Sequence, residues 1–65
     1  MDKELYGKVI IIMDNGDRYT IFSSDPVYTK KELDEFVEQI VLVQNTISIS
    51  TMSLLTSKIM GWEVQ

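Results

Sequence analysis

The apolar positions of this chain fall into three rhythms. Lys8 to Met13 reads Lys-Val-Ile-Ile-Ile-Met and Arg18 to Phe22 reads Arg-Tyr-Thr-Ile-Phe, both short β-branched or aromatic runs of the kind that favour strands. Between them lies Asp14-Asn15-Gly16-Asp17. Asn-Gly supplies the two positive-φ positions of a type I′ turn, so the spacing predicts a β-hairpin with a two-residue loop. In that register Ile12 faces Tyr19 and Ile10 faces Ile21 on one side, while Met13 faces Arg18, Ile11 faces Thr20 and Val9 faces Phe22 on the other. Both sides are largely apolar, which predicts a helix against one face and a further layer or a second subunit against the other.

Ser24-Asp25-Pro26 is expected to break the second strand, because proline cannot donate to a ladder and Asp favours turns. Thr29-Lys30-Lys31-Glu32 matches a capping box, with Tyr28 and Leu33 placed to form a hydrophobic staple across the helix start. Leu33, Phe36, Val37, Ile40 and Val41 then follow at helical spacing, with Asp34, Glu35 and Glu38 on the remaining arc. Leu42 would point away from that apolar face. Either the helix stops near Val41 or Leu42 enters a contact, and a stop followed by a β-type stretch from about Ile40 to Gln44 is favoured.

Gln44-Asn45-Thr46 reads as a turn, and Ile47-Ser48-Ile49-Ser50 alternates as a half-buried strand does. Thr51 to Ser57 is open between a helix with Met52, Leu55 and Ile59 on one face and a turn before a last strand, Lys58 to Val64. The strand is preferred, since Ile59, Trp62 and Val64 suit a sheet, and Met60, Trp62 and Val64 would then share a face. The fold class expected is α+β: a β-hairpin, one amphipathic helix and a C-terminal antiparallel strand pair in a single domain spanning residues 1–65.

Composition adds the question of support. With 65 residues, such a domain buries only about 60% of the surface its unfolded chain exposes. The chain has no cysteine and no histidine, so neither a disulfide nor a tight zinc site can reinforce it, and oligomerisation, as a dimer, is the remaining support. Charge is unevenly spread. Of the acidic and basic side chains, Lys58 alone falls between Gln39 and Trp62, which suits either a core strand pair with Ser/Thr-rich loops or a surface covered by a second chain. Candidate interface residues are Leu42, Met60 and Trp62 from this half, and Val9, Ile11 and Phe22 from the second face of the hairpin. Trp62, the single tryptophan, suits a core plug near an edge or an interface anchor.

The same composition narrows chemistry. A net charge of −4 with one arginine, Arg18, argues against a surface that tracks nucleic-acid phosphates. The stretch from Gln39 to Trp62 is interrupted by too many polar residues for a membrane helix, and Met1-Asp2-Lys3-Glu4 lacks the basic start of a signal peptide, so a cytoplasmic protein is expected. Without His or Cys the usual base and thiolate nucleophile are gone. Asp14 and Asp17 read as a solvated turn in preference to a weak cation site, since the full calcium-loop ligand set is lacking. Thr56-Ser57-Lys58 invites a Ser-Lys dyad, but nothing in the sequence supplies the buried lysine or the oxyanion hole it needs. No enzyme, cofactor or metal is expected. The acidic helix arc reads as a wet face, or as a negative patch for a basic partner.

The hairpin closed by Asn-Gly, the capped acidic helix and the Ser/Thr-punctuated strand ending in Ser57-Lys58-Ile59-x-Gly61-Trp62-x-Val64 resembles small uncharacterised proteins of Gram-positive bacteria and their phages. That resemblance implies an accessory protein that binds a host protein stoichiometrically and inhibits or modulates it. The alternative expectation is a structural or assembly subunit of a homo-oligomer.

Overall fold

The computed structural model describes residues 4–65, with strands β1 (Tyr6–Met13), β2 (Arg18–Tyr28), β3 (Thr46–Ile49), β4 (Met52–Leu55) and β5 (Ile59–Val64), and one helix, α1 (Lys30–Val43). It is an α+β fold with the expected hairpin, helix and C-terminal antiparallel pair. The pair is formed by β3 and β4, while β5 joins the hairpin to give a three-stranded antiparallel sheet in the order β2-β1-β5.

The hairpin differs from its expected register. Gly16 has φ of 93° but Asn15 does not enter the positive-φ region, so the turn is not type I′. Met13 N–H donates to the Asp17 carbonyl at 2.8 Å and Gly16 N–H to the Met13 carbonyl at 2.9 Å, the bonds of a three-residue loop with a glycine bulge. Pairing therefore shifts by one: Ile12 faces Arg18, Ile11 faces Tyr19 and Ile10 faces Thr20. The cause is the core. Val9, Ile11 and Met13 point inward and are buried, and the two-residue register would have set Arg18 and Thr20 beside them, at the cost of an inward charge. A second bulge, at Ile21, then restores Val9 opposite Phe22 as expected. The outer face of the sheet is not a second apolar layer: Ile10 and Ile12 are flanked by Thr20, Arg18 and Glu63, and Arg18 pairs with Glu63 across β1.

Pro26 does not end β2, which runs on to Tyr28 as an edge strand. The ladder is interrupted instead, with no partners between Ser23 and Tyr28. Gly7 permits this close passage: a Cβ there would sit 2.5 Å from the Asp25 carbonyl oxygen.

The helix starts as its sequence dictates. Thr29 Oγ1 accepts from Glu32 N–H at 3.2 Å, and Glu32 Oε1 accepts from Thr29 N–H at 2.9 Å, so two otherwise orphaned donors are satisfied reciprocally. The helix does not stop near Val41. It continues to Val43, with Gln44 N–H donating to the Ile40 carbonyl at 2.9 Å, and no strand forms over residues 40–44. Leu42 simply lies on the solvent side, where its helical angle puts it.

Two buried clusters make the core. Val9, Leu33 and Val37 are joined by Tyr6, Phe22, Tyr28, Val41 and Val64, whereas Ile11, Met13 and Ile47 are joined by Tyr19, Ile40, Ile49, Leu54 and Ile59. Ile21 and Trp62 pack against both. One face of the sheet is thus covered by α1 toward the Val9 end and by the β3–β4 hairpin toward the Met13 end.

Residues 51–57 resolve as β4 and the start of a 3-10 turn, Thr56–Lys58. The β3–β4 loop is Ser50-Thr51, with Ile49 opposite Met52 and Ser50 held at φ of 57°. In β5 a register shift between Ile12 and Met13 sets Ile59 opposite Met13. Ile59, Trp62 and Val64 consequently pack toward the core, and Met60, expected on their face, is turned out to solvent.

Candidate functional site

Three features of the surface are candidates. The first is a cleft of about 320 Å³ at the hairpin tip, lined by Met13, Asp14, Asp17, Tyr19, Leu54 and Lys58. Asp14 N–H donates to the Lys58 carbonyl at 2.8 Å, and the Asp14 carboxylate lies 3.9 Å from Lys58 Nζ. Asp17 accepts from Asn15 Nδ2 at 3.1 Å and from the Tyr19 hydroxyl at 3.3 Å. Loss of solvation, then the Asp17 charge and hydrogen bond, push the Tyr19 hydroxyl above its ordinary pKa, so it stays protonated and serves as a donor. Asp14 and Asp17 are spent on local partners, as a structured turn requires. Among the described residues no three His, Cys, Asp or Glu side chains converge to hold a metal ion.

The second is an aromatic cleft of about 350 Å³ between β2 and the start of α1, lined by Phe22, Tyr28, Glu32, Leu33 and Phe36. Phe22 meets Tyr28 edge-on at a centroid distance of 5.7 Å and Phe36 at 5.3 Å. These rings are already in mutual contact, so the cleft is a shallow apolar depression. The capping bonds from Thr29 hold the Glu32 carboxyl below the ordinary glutamate range, leaving a fixed negative charge on its rim.

The third is the exposed apolar surface. Leu42 and Val43 in the last turn of α1 are 79% and 76% exposed, and Met60 on β5 is 69% exposed. The helix end is held in place by Thr56, a buried residue whose Oγ1 lies 2.8 Å from the Gln44 carbonyl and 3.1 Å from that of Asn45, while its N–H donates to Asn45 at 2.9 Å. Thr56 therefore ties the carbonyls of the helix C-cap, Gln44, and of the residue after it to the start of the 3-10 turn.

Of the interface residues expected from sequence, Leu42 and Met60 lie on the surface. Val9 and Ile11 do not: both are fully buried inside the chain, because the face of β1 they occupy is the one that α1 and β3–β4 cover. Phe22 is half-buried in the aromatic cleft. Trp62 is half-buried against both core clusters and its Nε1–H donates to Asp34 at 3.1 Å. Asp34 also pairs with Lys30 at 3.1 Å, so part of the acidic helix arc is a tryptophan anchor. Val43 was missed by sequence reasoning because the helix was expected to end before it. No helix among the described residues is long and apolar enough to cross a membrane. Set against known protein families, characterised proteins and solved structures, the chain matches none.

Proposed function

We propose that this chain is a small non-enzymatic protein-binding module, a phage-derived accessory protein that occupies a host protein in the cytoplasm and thereby inhibits or modulates it. The observation that supports it is the exposure of the adjacent Leu42 and Val43 at the end of α1 in a domain whose fully buried apolar side chains are so few. Each large apolar side chain withdrawn from water is worth roughly 1.5–3 kcal/mol, and burying these against a partner recovers what the fold leaves unused. The Thr56 hydroxyl, from the Thr56-Ser57-Lys58 run, is engaged with backbone carbonyls. The test is a pull-down with the wild-type chain and a Leu42→Asp variant from cytoplasm of Gram-positive cells. A protein retained by the wild type and lost by L42D is expected. Equal capture by both, or turnover in a broad hydrolase screen, would overturn the proposal.

A second proposal, a structural or assembly subunit of a homo-oligomer, is favoured by the strand β5, which has a neighbour on one side only. Sedimentation at micromolar concentration tests it, and a monomer would refute it.

A further inference from the structure

The order β2-β1-β5 leaves two sheet edges, and they differ. The β2 edge carries Pro26 and a ladder interrupted between Ser23 and Tyr28, features that blunt an edge against pairing. From Ile59 to Val64, β5 has neither proline nor lysine, and its one charged side chain, Glu63, is occupied by Arg18. Gln65 exchanges hydrogen bonds with Lys8, at 2.8 Å from its N–H and 2.9 Å to its carbonyl. Alternation along an antiparallel ladder then directs the N–H and C=O groups of Glu63 and Gly61 toward β1 and those of Trp62 and Val64 outward. Among the described residues, no turn, loop or side-chain bond engages these outward groups. They form a short row of paired donors and acceptors with no partner strand.

Resting on the homo-oligomer proposed above, we propose that this edge is where two copies of the chain meet, β5 pairing antiparallel with β5 about a two-fold axis at Trp62. A closed two-fold contact needs a surface complementary to itself, and an antiparallel edge is one. The register follows from overlap and charge. Centring on Trp62 pairs β5 from Met60 to Val64 and sets the outward N–H and C=O groups of Trp62 against those of the same residue in the second copy. It also sets Glu63 opposite Gly61 of the second copy. Centring on Glu63 would instead oppose two carboxylates and shorten the overlap, which cross-strand energetics disfavour. Gly61 is open in the single chain, with nothing within 4 Å of where a Cβ would stand and no positive φ, so a side chain there tests the contact without disturbing the fold.

The experiment is sedimentation equilibrium on the full chain, with Gly61→Glu and Gly61→Lys, each checked by far-UV circular dichroism. The wild type is expected to dimerise. G61E places two new like-charge pairs across the axis and should weaken the dimer roughly tenfold, whereas G61K places two opposite-charge pairs and should tighten it by roughly several-fold. Amide exchange of the wild type gives a readout that needs no substitution: protection of Trp62 and Val64 N–H should rise with protein concentration. A dimer whose constant ignores both variants, with those amides unprotected, would overturn this edge while leaving the homo-oligomer standing. A wild type that stays monomeric would overturn both. Protection appearing only when a different protein is added would assign the edge to another chain and overturn self-pairing.

Discussion

Replacing Thr56 by valine should separate the end of the helix from the β3–β4 hairpin. Valine keeps the branched shape, so the packing of this buried position is nearly conserved and the hydroxyl is the variable. That hydroxyl reaches the Gln44 carbonyl at 2.8 Å and the Asn45 carbonyl at 3.1 Å. Asn45 also accepts from the Thr56 backbone at 2.9 Å and would remain satisfied, whereas Gln44 would lose its partner. Gln44 is exposed, so water can reach its carbonyl and the loss is that of one ordinary hydrogen bond, about 0.5–1.5 kcal/mol. A domain of this size has a total stability of roughly 3–10 kcal/mol, and each kcal/mol shifts its midpoint by about 4–8 °C. The expected result for T56V is a fall in Tm of about 2–12 °C, with amide protection lost first in β3 and β4. Thr56→Ser, which keeps the hydroxyl, should retain the larger part of that stability. Circular dichroism melts and native-state hydrogen exchange measure both quantities. A T56V protein that melts with the wild type, or that loses protection uniformly, would refute the role given to this contact.

Two further outcomes follow from local geometry. Because Glu32 is held ionised by the Thr29 bonds, its folded-state pKa lies below its ordinary value of 4.5; its contribution is complete above that value and is lost as pH falls through the lowered one. The gap between wild type and Glu32→Gln in denaturant midpoint should therefore close on acidification below pH 4.5, and a gap independent of pH would contradict the capping role. Ser50 sits at φ of 57°, where a side chain costs about 1 kcal/mol relative to glycine, so Ser50→Gly should raise the urea midpoint; an unchanged or lower midpoint would show that the Ser50 conformation is not strained.

What the sequence by itself determined are the elements whose cause is local. The capping box at Thr29 and the helical spacing of Leu33 and Val37 act over a few residues and are found where the pattern puts them, and Asn15-Gly16 marks the place of the hairpin turn though not its type. The β4 strand was not legible because its turn, Ser50-Thr51, contains neither Gly nor Asn and is held by contacts instead. Tertiary structure decided what depends on residues far apart. The hairpin slipped by one because Val9, Ile11 and Met13 face a core that Arg18 cannot enter, and the bulge at Ile21 returned Phe22 to it. Val9 and Ile11, equally apolar whichever face is covered, became core and not interface. The helix ran past Val41 because exposing Leu42 and Val43 costs less than breaking its backbone hydrogen bonds. That choice, together with the pairing of β5 against β1, left exposed apolar side chains and an unpaired strand edge, the two features that carry the functional proposals.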